Sequence, residues 1–293
     1  PCTAFLYSFA KIMVSGMPME NKPCLVVADD LTGAADTGVQ FAIRGRDACL
    51  ISPEGDRPID FSRYRTRDVL VVNTRSRGLD AGRASDRIAL LLRDGRPDGF
   101  RLVYKKIDST LRGNIGAEID SLMDATGSSV GFVAPSLPEQ HRSVEGGILR
   151  VDGKPLALTE AARDAVTPIH ESRVPELLRA QSRRKVVWIG LDQVGSTVDA
   201  LHAEVMRHGS SGNGVLIVFD AATRADLRNI AEAGFRMPQQ PLWIGSAGLA
   251  GEVAGMLSSD AGRRPSPFGD AGSMRILWVC GSASGVTHGQ IRY

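Results

Sequence analysis

The chain has 293 residues, of which 43% are hydrophobic and 23% charged, a balance that suits a globular protein of one large or two modest domains. Its 35 basic and 33 acidic residues leave a formal net charge of +2, without the Lys/Arg runs or aromatic interleaving of a nucleic-acid-binding or membrane-surface protein. Cys2, Cys24, Cys49 and Cys280 form no CxxC and the five histidines no zinc spacing, which predicts a reducing cytoplasmic compartment and no intrinsic metal site.

In chain order, residues 1–22 are set apart as an unstructured or non-native leader. Ala4 to Val14 is apolar, too short to span a bilayer, and not preceded by the charged region of a signal peptide; Met17 and Met19 are candidate starts. Residues 23–258 then alternate short apolar runs with helical patterns. Strands are predicted at 24–28, 48–51, 69–72, 100–104, 130–134, 185–189, 214–219 and 242–244. They are β-branched and apolar on both faces, as strands covered on each side are. The helices between them carry apolar residues at i, i+4, i+7, i+8, as in Ala84, Ile88, Leu91 and Leu92, and Gly45, Gly95 and Gly127 mark stops. Arg183-Arg184-Lys185, the densest basic cluster, reads as a solvated edge before the strand at Val186. This alternation predicts an α/β fold: a mostly parallel, Rossmann-like sheet with helices on both faces. Residues 135–172 break the rhythm, and 148–158 read as an inserted β-hairpin turning at Asp152-Gly153. A linker rich in Gly, Pro, Ser and Asp is expected at 259–273. Residues 274–293, with a strand at 275–279, read as the opening of a second domain.

Residues with chemical capacity gather at strand ends, where open α/β sheets bind ligands. Asp29 and Asp30 close the first strand. One of them, with Thr32, accounts for a helix cap, which leaves the other to accept bonds from a hydroxylated substrate. Asn73-Thr74-Arg75-Ser76-Arg77 follows the third strand, and Arg75 offers a planar fork for a carboxylate, with a surface salt bridge as the equal alternative. The stretch Lys105-Lys106-Ile107-Asp108-Ser109-Thr110-Leu111-Arg112-Gly113 collects cations, a carboxylate and hydroxyls at a glycine-broken helix start. Adjacent lysines on extended chain point to opposite faces, so Lys106 is expected to face the ligand with Asp108 and Ser109. The structural alternatives are a helix cap for Ser109 or Thr110 and a neighbouring carboxylate for Arg112. Gly245-Ser246-Ala247-Gly248 and Gly281-Ser282 are strand-end turns whose N–H groups suit a phosphate, although tight packing explains such glycines nearly as well. Neither is a P-loop nor a full GxGxxG.

Taken in order, the motifs resemble those of the four-carbon acid sugar kinase family. They are Ala28-Asp29-Asp30-Leu31-Thr32-Gly33-Ala34, Asn73 to Arg77, Tyr104 to Gly116, Ala134-Pro135-Ser136-Leu137-Pro138 with the hairpin, Thr167-Pro168-Ile169, and Gly245 to Leu249. The Lys-Lys-Ile-Asp-Ser-Thr form is most similar to the D-threonate and D-erythronate kinases. The resemblance implies an ATP-dependent kinase that phosphorylates the terminal hydroxyl of a four-carbon sugar acid, with Mg²⁺ entering alongside ATP. It implies an acid-sugar-binding domain over 23–258 and a truncated nucleotide-binding domain beginning at 274. Asp30 or Asp29 would be catalytic; Arg75, Ser76, Lys106, Asp108, Ser109 and Arg112 would bind the sugar acid; Gly245, Ser246, Gly248, Gly281 and Ser282 would lie on the ATP side. The expected protein is cytoplasmic, with a homodimer among its candidate assemblies and no nucleic-acid or membrane partner. Two other readings stay open. One is a non-catalytic sugar-acid-binding fragment or sensor. The other is a nucleotide-dependent oxidoreductase, which would need GxGxxG where Asp29-Asp30-Leu31-Thr32-Gly33 stands.

Overall fold

The first strand, β1 (Cys24–Ala28), carries no polar side chain and is buried on both faces. The computed structural model describes residues 22–53, 58–93, 99–164, 166–208 and 214–257, which belong to one compact unit. After β1 come β2 (Ala48–Ile51), β3 (Val69–Asn73), β4 (Leu102–Lys106) and β5 (Val130–Ala134). A three-stranded antiparallel insertion follows, made of β6 (Arg142–Glu145), β7 (Ile148–Val151) and β8 (Lys154–Pro155). Then β9 (Lys185–Ile189), β10 (Val215–Phe219) and β11 (Leu242–Gly245) complete a parallel eight-stranded sheet in the order β2-β3-β1-β4-β11-β5-β10-β9.

Eight helices accompany the strands among the described residues: α1 (Leu31–Ala42), α2 (Ala81–Arg93), α3 (Ile115–Thr126), α4 (Val174–Gln181), α5 (Leu191–Val194), α6 (Val198–His208), α7 (Arg224–Phe235) and α8 (Ala247–Leu257). Alternation within each strand divides the core in two. Val26, Tyr104, Phe132, Phe219 and Trp243 pack with α1, α6, α7 and α8. Leu25, Val27, Val103, Leu216 and Ile244 pack with α2, α3 and α4. Crossovers through α2, α3 and α4 move one way along the sheet and those through α1, α6 and α7 move the other, as right-handed connections require. The chain therefore leaves β1 toward one face and its neighbours β3 and β4 toward the opposite face. A crevice opens at the carboxyl end of β1, the topological position where open sheets hold ligands.

The predicted α/β architecture is the one observed, with local differences that have physical causes. Strand β4 spans 102–106 rather than 100–104, so Lys105 and Lys106 lie inside it, in register with Val27 and Ala28. A charge is tolerated there because the Lys105 ammonium meets Glu118 of α3 at 2.6 Å, both side chains being at most 2% exposed. The insertion has three strands instead of two. Its predicted turn at Asp152-Gly153 has φ of 49° and 75°, and a second, unpredicted turn at Gly146-Gly147 has φ of 63° and 73°. Left-handed backbone at both central residues suits the twist of an antiparallel pair. Arg184 is not solvated: its side chain is 7% exposed and pairs with Asp120. Gly127 closes α3 with φ 66°, whereas Gly95 lies outside the described residues. So do the leader to residue 21, the linker at 259–273, and all of 274–293 with Gly281 and Ser282.

The insertion is tied firmly to the sheet. Asp220, just past β10, accepts the Gly146 and Gly147 N–H groups at 2.7 and 2.9 Å and the Trp188 indole N–H at 2.9 Å. Val144 and Ala221 exchange both backbone hydrogen bonds, at 2.9 and 3.0 Å. Burial pushes the Cys24 thiol up to about 12, so it behaves as a small apolar side chain. Among the described residues no helix is long and apolar enough to cross a membrane.

Candidate active site

Three loops meet at the crevice: Asp29-Asp30 after β1, 74–77 after β3, and 107–113 after β4. Backbone bonds bring the first two together, Thr74 N–H to the Ala28 carbonyl at 2.8 Å and Ser76 N–H to the Asp29 carbonyl at 3.0 Å. Asp30 caps α1 by accepting the Gly33 N–H at 3.0 Å, as the capping alternative expects. Its carboxylate does more than cap. Arg77 grips both aspartates at once, Asp29 through Nε and Nη2 at 2.8 and 3.0 Å and Asp30 through Nη1 and Nη2 at 2.9 and 2.8 Å. Burial opposes the Arg77 charge, but Asp29, Asp108 and Asp30 together hold its pKa above the ordinary value. The Asp29 side chain is 4% exposed and that of Asp30 is 25% exposed. Asp30 is thus the carboxylate of this pair that a ligand can reach.

Two glycines allow these groups to approach. A Cβ on Gly33 would sit 2.5 Å from Asp30 Oδ1 and 2.9 Å from Lys106 Nζ. A Cβ on Gly113, whose φ is 98°, would lie 2.8 Å from Asp29 Oδ2. Any larger residue would displace the carboxylates.

The two lysines of β4 divide as alternation requires. Lys105 joins a buried chain on the α3 side, where Ser76 Oγ donates to Glu118 and shares a hydrogen bond with Thr74 Oγ1. Ser76 is therefore beneath the crevice, fully buried, with its hydroxyl engaged. Lys106 turns the other way. Its ammonium donates to the Ile107 carbonyl at 2.8 Å and forms no ion pair within 4.0 Å among the described residues. Burial lowers its pKa, and the nearby Asp108, Asp29 and Asp30 only partly offset that effect.

Asp108 is chelated by Arg112, Nε to Oδ2 at 2.6 Å and Nη2 to Oδ1 at 3.2 Å, and accepts from Thr110 Oγ1. Burial raises its pKa, yet Arg112, Arg77 and Thr110 outweigh that and hold the carboxyl well below the usual carboxylate range. Arg112 reaches on to Asp164 at 3.2 Å. Asp164 is lowered to about 2, first by the Thr167 and Val166 N–H groups and then by Arg112.

Ser109 is buried, and its hydroxyl meets the guanidinium of Arg142 from β6. Arg75 sits at the rim instead. It is exposed, with φ 54° and its N–H bound to Asn73 Oδ1, and it makes no ion pair among the described residues. Sequence reasoning singled out neither Arg77 nor Arg142. The first stood inside a quoted motif; the second had no local signal.

The glycine turn after β11 adjoins this set, because Ile107 N–H donates to the Gly245 carbonyl at 2.9 Å. Ser246 is buried, donates to the Ser136 carbonyl at 2.8 Å, and receives the Gly248 N–H at 3.3 Å. A Cβ on Gly245 or Gly248 would lie 2.6 Å from the Ala134 carbonyl or 2.5 Å from the Ser136 carbonyl. Close backbone packing against the end of β5 thus accounts for both glycines. Gly248 also borders a cavity of about 230 Å³ whose wall includes Arg44, Arg224 and Glu252.

Comparison with known proteins bears on the whole of this unit. A family model described as a sugar-binding N-terminal domain matches residues 24–253. A D-threonate kinase of Salmonella typhimurium is 36% identical over 269 residues, which are 91% of this chain and 59% of that protein. A D-erythronate kinase of Heliobacterium modesticaldum is 33% identical over 274 residues, 92% of this chain and 59% of that protein. The crystal structure of a Bordetella bronchiseptica protein, a domain-swapped dimer with bound citrate, superposes with a TM-score of 0.67 at 33% identity. It covers 79% of this chain and 55% of that one. The chain spans less than two thirds of the length of each of these relatives.

Proposed function

The chain belongs to the family of sugar-binding N-terminal domains found in four-carbon acid sugar kinases, and from that membership we propose that its crevice binds a four-carbon sugar acid for phosphorylation at the terminal hydroxyl by ATP. D-threonate and D-erythronate, the acids named in its relatives, are the proposed substrates. The observation that carries this reading is the Arg77 clamp, which orients Asp30 beside Lys106 in the crevice of β1 and β4. An accessible carboxylate suits a substrate hydroxyl, and an ammonium that forms no ion pair among the described residues suits a substrate anion. The citrate held by the Bordetella relative is a small hydroxylated carboxylate of the same kind.

Phosphoryl transfer asks the protein mainly to position reactants and to spread charge. Asp30 accepts the terminal hydroxyl, aligns it, and takes its proton late in the transfer. Asp29 and Arg77 fix Asp30 from behind. Lys106 draws the anionic end of the substrate inward, Ser109 supplies a hydroxyl contact, and Arg75 guards the rim. Asp108 and Arg112 hold one another and stiffen the loop. The ATP side is assigned to the Gly245–Gly248 turn, one strand from Lys106, with Gly248 opening on the neighbouring cavity. Ser246, whose hydroxyl donates to the Ser136 carbonyl past the end of β5, supports that turn rather than touching phosphate. Among the described residues no group of three or more His, Cys, Asp or Glu side chains is disposed to hold a metal. Mg²⁺ in this proposal is carried by the phosphates of ATP, where it supplies charge neutralisation.

The test is coupled ADP release by the chain with D-threonate and D-erythronate, alongside calorimetric binding of each acid. Asp30→Asn is expected to lower kcat by about 100-fold or more with KM little changed. Undiminished turnover in that variant removes Asp30 from the mechanism. Binding of the acid without ADP release supports the fragment or sensor reading instead.

A further inference from the structure

Every carboxylate of the crevice already has an arginine: Asp29 and Asp30 share Arg77, and Asp108 and Asp164 share Arg112. Those two guanidiniums are committed and have little left to offer a ligand. Lys105 is committed to Glu118 on the far face. Two cations at the β4 loop form no ion pair among the described residues, Lys106 and Arg142.

Arg142 is the more unusual of the pair. It is the first residue of β6, and its backbone is fixed by exchanged hydrogen bonds with Leu137, at 2.8 and 3.1 Å. The strand it begins is in turn fixed by Ala221 and Asp220, so the side chain leaves a rigid support. It crosses to loop 107–113 and makes one side-chain contact, between Nη1 and Ser109 Oγ. Its Nε is buried without any hydrogen-bond partner. A guanidinium carries five N–H donors in a fixed fork and is always charged. Arg142 is half-buried, and its Nε is the donor enclosed without a partner; a buried donor in that condition calls for a specific reason.

We propose that Arg142 is the specificity-determining residue for the acid group of the substrate, its fork taking the sugar-acid carboxylate at Ser109 with Lys106 as the second cation. The inference rests on the sugar-acid reading above and adds which residue distinguishes an acid from an uncharged sugar. It also gives the insertion a purpose: β6 carries a cation to a loop 33 residues earlier in the chain. A planar two-point contact of this kind fits a carboxylate and discriminates against an alcohol or amide.

The experiment is titration calorimetry on the full chain with D-threonate or D-erythronate, whichever binds more tightly, and with the corresponding uncharged amide. The unaltered protein, Arg142→Ala and Arg142→Lys are compared, with circular dichroism reporting folding. Arg142→Ala is expected to weaken binding of the acid about 10- to 100-fold and to leave the amide unchanged, so that the preference for the acid collapses. Arg142→Lys, which keeps the charge and loses the fork, is expected to restore part of that preference. Equal affinity of the unaltered and Ala proteins for the acid overturns the inference. Equal weakening toward both ligands also overturns it, because that is what a structural contact with Ser109 would produce. Should the Ala protein fail to fold, the Lys protein decides alone: it must weaken the acid more than the amide. If the unaltered protein binds neither acid, the sugar-acid function itself fails and this inference falls with it; tight binding by both unaltered and Ala proteins sinks only the inference.

Discussion

At the scale of single residues, the crevice sorts charges by whether a neighbour has claimed them. Lys106 is the clearest case. Its ammonium is buried, and burial outweighs the pull of Asp108, Asp29 and Asp30, so its charged form is held at a cost to folding. Lys106→Met should therefore leave urea stability within about 1 kcal/mol of the original, since it removes a buried charge that has no ion-pair partner among the described residues to leave stranded. The same change should abolish calorimetric binding of the sugar acid. A large loss of stability would mean that the lysine is structural. The aspartates set the acid response. Asp108 and Asp164 both titrate lower in the folded chain than a carboxylate's ordinary value of 3.8, Asp164 at about 2. Their stabilisation is complete above the unfolded value and is lost as pH falls through the folded one. Urea midpoints should hold steady above pH 5 and fall between about pH 4 and pH 2, and Asp164→Asn should flatten part of that slope. An unchanged slope would show that Asp164 gains nothing from its Arg112 and backbone partners.

At the scale of elements, each loop of the site is stiffened by a specific device. Arg75 adopts φ 54° because the Asn73 side chain binds its N–H, and that twist throws Arg75 outward and brings Arg77 onto the aspartates. The insertion depends on Asp220, which satisfies two turn N–H groups and an indole N–H from a position 1% exposed. Asp220→Ala removes the acceptor of all three donors, of which the Gly147 N–H is the buried one while Gly146 and Trp188 are open to water. One buried unsatisfied group costs about 1–3 kcal/mol, and a loss of that size is expected in urea unfolding. Amide exchange at Gly146 and Gly147 should quicken at the same time. Exchange at the unaltered rate would show that the Val144–Ala221 bridge alone holds the insertion.

At the scale of the whole molecule, the site is built within a single unit whose sheet runs through both halves of the core. Residues from position 29, just past β1, to position 142 in the insertion and 164 beyond it all reach the one crevice. A ligand there binds the folded form alone, so it should stabilise the entire unit. At 100 times its Kd, the sugar acid is expected to add about 2.7 kcal/mol to unfolding free energy, read as a rise in Tm with increasing ligand. The uncharged amide at equal concentration should add less. A melting temperature indifferent to either acid would argue against a preformed site.

By itself the sequence determined the α/β architecture, the strand ends that carry Asp29, Asp30, Lys106 and Asp108, and the turn at Asp152-Gly153. Those follow from local patterning: two-sided apolar runs need cover on both faces, and alternation along β4 sends adjacent lysines to opposite sides. Only the tertiary structure decided which charges are spent. Nothing local distinguishes Arg75 from Arg77, two residues apart on what would be the same side of an extended chain; a side-chain-made turn at Asn73 separates them. Nor does any spacing join Arg142 to Ser109, or Glu118 to Lys105, because those pairings exist only once crossovers and the antiparallel insertion have folded back upon the sheet.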